Sequence, residues 1–95
     1  MNLTKIKLLS ISYNFIGNEG LKYLALMNLL NFVSLEILIL DSNNIGSEGI
    51  IFFNQINFPK LKKLSLNFNQ FGNSNSFNEI GFILFDKFPK LELEL

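Results

Sequence analysis

The side chains available for chemistry in this 95-residue chain are few in kind. There are eight lysines, eight carboxylates and a set of hydroxyls and amides, with no cysteine and no histidine. The missing residues exclude disulfides, thiolate nucleophiles, the usual zinc ligands and the commonest general base at once. Every basic residue is a lysine and the formal net charge is zero, so neither an overall field nor a guanidinium fork is present to hold phosphate. Glu19 and Glu48 recur in matching surroundings and could suggest a carboxylate pair. Each lies one residue before a glycine, Gly20 or Gly49, that opens an apolar stretch, where a negative charge favours a helix N-terminus. Gly17-x-x-Gly20 and Gly46-x-x-Gly49 are not phosphate loops, because no Lys-Ser/Thr pair completes them. Asn2-Leu3-Thr4 matches a glycosylation acceptor, a pattern common by chance. No catalytic residue, metal ion or cofactor is expected.

The elements that position these groups emerge from internal repetition. Three blocks align: IKLLSISYNFIGNEG from Ile6, LEILILDSNNIGSEG from Leu35 and LKKLSLNFNQFGNSN from Leu61. Aliphatic residues stand first, fourth and sixth: Ile6, Leu9 and Ile11; Leu35, Leu38 and Leu40; Leu61, Leu64 and Leu66. Asn14, Asn43 and Asn69 stand ninth. Ile16, Ile45 and Phe71 then precede Gly17, Gly46 and Gly72. Side chains alternate along a strand, so the L-x-L pair faces a core while the residue between faces outward. The Asn amide is suited to backbone groups left unpaired where the chain turns out of the strand, and stacked Asn residues should form a ladder. The glycine after it supplies a positive φ or room for close packing.

A helical segment follows each corner. In EGLKYLALMNLLNF, Leu21, Leu24 and Leu29 fall near a 3.6-residue period, and Leu26, Met27 and Leu30 should widen a well-buried face. EGIIFFNQI is shorter, with Ser47 as a possible cap. The third helix follows Ser76-Phe77-Asn78-Glu79, a capping-box spacing. Phe58-Pro59 and Phe88-Pro89 end the later helices and lead into strands. The unit starts afresh at Ile6, Leu35, Leu61 and Leu91, and the second repeat is the shortest of the three complete ones.

This pattern resembles the leucine-rich repeat, L-x-x-L-x-L-x-x-N, and the N-x-I-G-x-E-G continuation from Asn14 and Asn43 is similar to the ribonuclease-inhibitor-like subclass. The resemblance implies an α/β fold: a right-handed solenoid shaped as a short horseshoe, with a parallel sheet on the concave side and helices on the convex side. It implies one domain, 1–95, of about three repeats (6–34, 35–60, 61–90) and a truncated terminal strand (91–95). The third repeat departs from the others, with Ser74 and Asn75 in place of Glu-Gly. The last, LELEL, holds one compressed strand whose glutamates discourage edge pairing. Neither end has an evident polar cap, so the chain could be a fragment of a longer receptor or scaffold.

In this register the concave face shows Leu8, Ser10 and Ser12; Ile37, Ile39 and Asp41; and Lys63, Ser65 and Asn67. Tyr13, Ser42 and Phe68 lie at the rim. Open solenoid faces serve as binding surfaces, and Ile37, Ile39 and Asp41 are positions the fold does not require. The expected function is therefore a non-catalytic protein–protein interaction module whose contacts are drawn from Leu8, Ser10, Ser12, Tyr13, Ile37, Ile39, Asp41, Lys63, Ser65, Asn67 and Phe68. The alternative is a regulatory protein such as a GTPase activator, which rests on fold analogy. The expected partner is another protein, not nucleic acid or membrane, with self-association through the terminal strands as a further route. The N-terminal apolar run is broken by Ser10 and Ser12 and lacks a cleavage site, and the Gly20–Leu40 stretch carries polar residues and changes period. A cytoplasmic location is expected.

Overall fold

The computed structural model describes residues 3–27, 32–56, 58–72 and 74–95, with the side chains of 27 and 74–77 excepted. Expectations for Asn2, Leu29 and Leu30, and for the side chains of Met27, Ser74, Asn75, Ser76 and Phe77, lie outside the described residues. The element order is β1 (Leu8–Ser10), α1 (Gly17–Met27), β2 (Ile37–Ile39), α2 (Ser47–Ile50) continued by a 3-10 helix (Ile51–Gln55), β3 (Lys63–Ser65), α3 (Ser74–Lys87) and β4 (Glu92–Glu94). The strands form one open, parallel sheet in the order β1-β2-β3-β4. Parallel neighbours need crossover connections, and here the helices supply them on one face. The result is the α/β solenoid the repeats imply.

Strand register follows the repeat. Leu9 pairs with Leu38, Leu38 with Leu64 and Leu64 with Leu93. Leu64 stands third after Leu61, as Leu38 does after Leu35, but Leu93 stands only second after Leu91, so the last unit is one position short between its turn and β4. In the preceding repeats two successive N–H groups fork onto one carbonyl: Glu36 and Ile37 onto Lys7, then Lys62 and Lys63 onto Glu36. At β4 Glu92 alone donates, to Lys62. The compression expected of LELEL is this single deletion.

The core matches the repeat positions. Leu35, Leu38, Leu40 and Ile45 are fully buried in the second repeat, and Leu61, Leu64, Leu66 and Phe71 are buried in the third. Equivalent residues at the ends, Ile6, Leu9, Ile11 and Ile16 and then Leu93 and Leu95, are only half-buried, having a neighbouring repeat on one side alone. A row of rings lies beneath the turns that lead into the strands: Phe58 sits 5.5 Å from Phe32, 6.3 Å from Phe53 and 6.5 Å from Phe88, centroid to centroid, with tilted planes. Phe32, Phe58 and Phe88 open equivalent four-residue turns, closed by Leu35 N to Phe32 O, Leu61 N to Phe58 O and Leu91 N to Phe88 O, with Ile6 N to Leu3 O as the first of the series. Sequence reading uses Phe58-Pro59 and Phe88-Pro89 only as helix stops.

The helices bring corrections. The α1 helix is not well buried: Leu21 is, but Leu24 is half-buried and Leu26 is 68% exposed. A broad apolar stripe implies burial only where a neighbouring helix covers both flanks, and α1 packs against the second repeat's helices alone. Ser47 is the first helical residue and not the cap; Gly46 holds that position without a side-chain cap bond. Its N–H is instead taken by Asn18 Oδ1 of the repeat before, at 2.8 Å. The α3 helix begins at Ser74, so Ser76 lies in its first turn and does not start a capping box. Glu19 and Glu48 fall in first turns, where the positive end of the helix favours them.

Candidate functional site

The Asn ladder sets the edge of the sheet. Asn43, fully buried, accepts from Asn14 N at 2.8 Å and Ile16 N at 3.4 Å, while its amide donates to Ile11 O at 2.9 Å and Asp41 O at 3.2 Å. Asn69 does the same for the second repeat, accepting from Asn43 N and Ile45 N, both at 2.9 Å, and donating to Leu40 O at 3.0 Å. Each amide therefore serves the repeat before its own. Asn14 is exposed, and its amide donates to Ser12 O, two residues away. Of the corner glycines, Gly17 and Gly72 have positive φ, 64° and 78°, but Gly46 is extended at −107°. The close packing falls instead on Gly49, where a Cβ would collide with Asn18 Oδ1.

Between strand and Asn every repeat places a non-glycine residue in the left-handed region: Tyr13 at φ 62°, Ser42 at 56° and Phe68 at 59°. That conformation makes the sharp exit from the strand. It also turns two aromatic residues outward, Tyr13 being 75% and Phe68 84% exposed. Both lie at the rim, where the sequence register puts them; their backbone strain carries no signal in the sequence, since glycine or asparagine would ordinarily mark such a position.

The concave face has two halves. Two rows cross it, Leu8–Ile37–Lys63–Glu92 and Ser10–Ile39–Ser65–Glu94, as the strand register requires. The N-terminal half is apolar, with Leu8 53% exposed beside half-buried Ile37 and Ile39, and with exposed Ser10 and half-buried Ser12. The C-terminal half is a bonded polar network. Ser65 Oγ donates to Asp41 Oδ1 at 2.6 Å, the same oxygen that accepts from Asn67 N at 2.9 Å. The Asn67 amide reaches Glu94 Oε2 at 3.3 Å, and Lys63 Nζ lies 3.3 Å from Glu94 and 3.8 Å from Glu92.

Two expectations change here. Ser65 is only 2% exposed, covered by its bonded neighbours, so it supports the surface and is not part of it. Asp41 is not dispensable to the fold, because its carboxylate ties the second repeat to the third. Glu92 and Glu94, read from sequence as guards of an open edge, both belong to the network; only the register of β4 against β3 reveals it. The ammonium of Lys63, bonded to Glu94, holds that carboxyl below its ordinary range, with help from Ser65 and Asn67. Glu94, and then Glu92, hold Lys63 above its ordinary value. This arrangement fixes charge and shape. Ser65 is covered by its neighbours, so its hydroxyl is not open to a bound molecule. Among the described residues no group of three or more acidic side chains is placed to hold a metal, and no helix is long and apolar enough to cross a membrane.

An open parallel sheet backed by helices, with an Asn ladder along its edge, defines a repeat solenoid. Residues 2–25, 33–53 and 59–74 match the family model described as Leucine Rich repeat, and the chain belongs to that family. Leucine-rich repeats generally mediate protein–protein interaction and are generally non-catalytic. No curated protein and no solved structure matches the chain.

Proposed function

We propose that the chain is a protein-interaction module of the ribonuclease-inhibitor-like subclass that engages its partner on the concave face. The observation that carries this reading is the pairing of exposed Leu8 and half-buried Ile37 and Ile39 with an ordered polar network on the same open sheet. An apolar patch bounded by fixed polar groups offers both the desolvated centre and the directional rim that protein interfaces use. Tyr13 and Phe68 extend that surface over the edge. The convex helices α1, which begins at the corner glycine Gly17, and α3, which follows Gly72, support the subclass. The absence of cysteine is compatible with the cytoplasm, where we place it.

The test is an interaction screen with the full chain followed by replacement of Ile37, Ile39 and Phe68 with alanine. A partner retained by the wild type should be lost by the variant while the circular dichroism of the two stays the same. Undiminished capture by the folded variant would refute concave recognition.

A further inference from the structure

The net charge of zero, which speaks against a membrane partner in the sequence, conceals a polarised distribution. The four turns that lead into the strands are equivalent, each closed by the same backbone bond, and their third residues are Lys5, Ser34, Lys60 and Lys90. All three lysines are exposed, and among the described residues none has a carboxylate within ion-pair distance. Lys7 and Lys62 lie two residues further along their segments, and so do two acids, Glu36, bonded to Lys62 at 3.0 Å, and Glu92, 3.8 Å from Lys63. Five lysines against two glutamates leave three positive charges along this edge. At the opposite edge, where strands turn into helices, lie Asp41, Glu19 and Glu48.

We propose that the turn edge docks on an anionic lipid surface, holding the solenoid upright with its concave face free. Adjacent strands are about 4.8 Å apart, so Lys5, Lys60 and Lys90 span roughly 14 Å, within two Debye lengths at physiological salt. All three can meet one planar surface at once. The row stands on exposed turns and is not set in a groove that would hold an extended polypeptide. Lysine is a compact, hydrated point charge without the fork that selects a fixed phosphate geometry, which suits mobile headgroups on a plane. The acidic opposite edge would be repelled by the same surface, which sets orientation as well as attraction.

The test is co-sedimentation of the full chain with vesicles of phosphatidylcholine containing about one-third phosphatidylserine, the proportion being chosen to give a strongly negative surface. Binding should be absent on phosphatidylcholine alone and should fall as salt rises. The variant Lys60→Gln/Lys90→Gln should weaken binding by roughly tenfold or more. Asn78→Glu/Phe82→Glu, which shifts net charge by the same amount at two exposed positions toward the other end of α3, should weaken it far less. Equal losses in both variants, no binding to the mixed vesicles, or tighter binding to soluble polyglutamate than to vesicles would each overturn the proposal. The alanine variant at Ile37, Ile39 and Phe68 should keep vesicle binding, so failure here and failure of concave recognition are read separately.

Discussion

Replacing Asn43 with alanine tests the central claim about the corners. The substitution removes four hydrogen bonds: those from Asn14 N and Ile16 N to Oδ1, and those from the amide to Ile11 O and Asp41 O. Asn43 is fully shielded, but Asn14 is exposed and water can replace its lost partner. A buried polar group left unpaired costs about 1–3 kcal/mol, so with partial rehydration the loss should be about 3 kcal/mol. A domain of this size is stable by roughly 5–14 kcal/mol, which makes that a large fraction. The midpoint of thermal unfolding should fall by roughly 15 °C. Asn14→Ala is the control, since the motif position is identical but among the described residues the amide bonds only to Ser12 O; it should cost less than about 1 kcal/mol. Urea unfolding of both variants, followed by circular dichroism, gives the comparison. Equal losses in the two, or a loss below about 1 kcal/mol for Asn43→Ala, would show that the ladder is not what holds the corners.

Other consequences can be measured in the same way. Phe68→Asn should raise stability by about 1 kcal/mol, because Asn tolerates the left-handed backbone and the ring is 84% exposed; calorimetry checks it. Lys87→Met should lower stability by about 1–2 kcal/mol, since its ammonium donates to Asn54 O at 2.8 Å and Phe53 O at 3.3 Å, and also to Ile56 O, at the end of the 3-10 helix. Urea midpoints of that variant against the wild type give the difference. Glu36 and Glu94 are held below the ordinary carboxylate pKa by Lys62 and Lys63, so their contribution is complete above that value and is lost as pH falls through the depressed one. Acid titration of urea midpoints should therefore be shallower in Glu36→Gln/Glu94→Gln. Lys63, raised by Glu94, adds the opposite limb: its contribution is lost as pH rises through the raised value above the ordinary lysine range.

The fold was legible because period 2 in the strands and the recurring Asn encode contacts that each repeat makes with the next. Leu35, Leu38, Leu40, Ile45 and Asn43 are buried where that logic places them. Burial of α1 is overstated by its composition because Leu26 has the right residue type but no helix beyond it. The outward direction of Ile37 and Ile39 was also readable from alternation. What escaped was every feature that joins residues of different repeats outside the aligned motif. The Asn18 bond to Gly46 N, the Asp41 bond to Ser65 and the ring row from Phe32 to Phe88 are of this kind. Each joins residues of successive repeats, far apart along the chain, and no local pattern of residue types announces the pairing.

Asn43 and Asn69 each serve the repeat before their own, so the corner amides are passed in one direction, while Asn18 and Asp41 accept from the repeat that follows. Loss of the first repeat deprives the second of no corner amide, whereas loss of the third strands Asn43 N and Ile45 N, and through Asn43 loosens the first. Amide hydrogen exchange should register this as a gradient, with protection at the corners lowest around Asn14 and rising toward Ile45. The corner amides are thus shared unequally, although each repeat carries nearly the same letters.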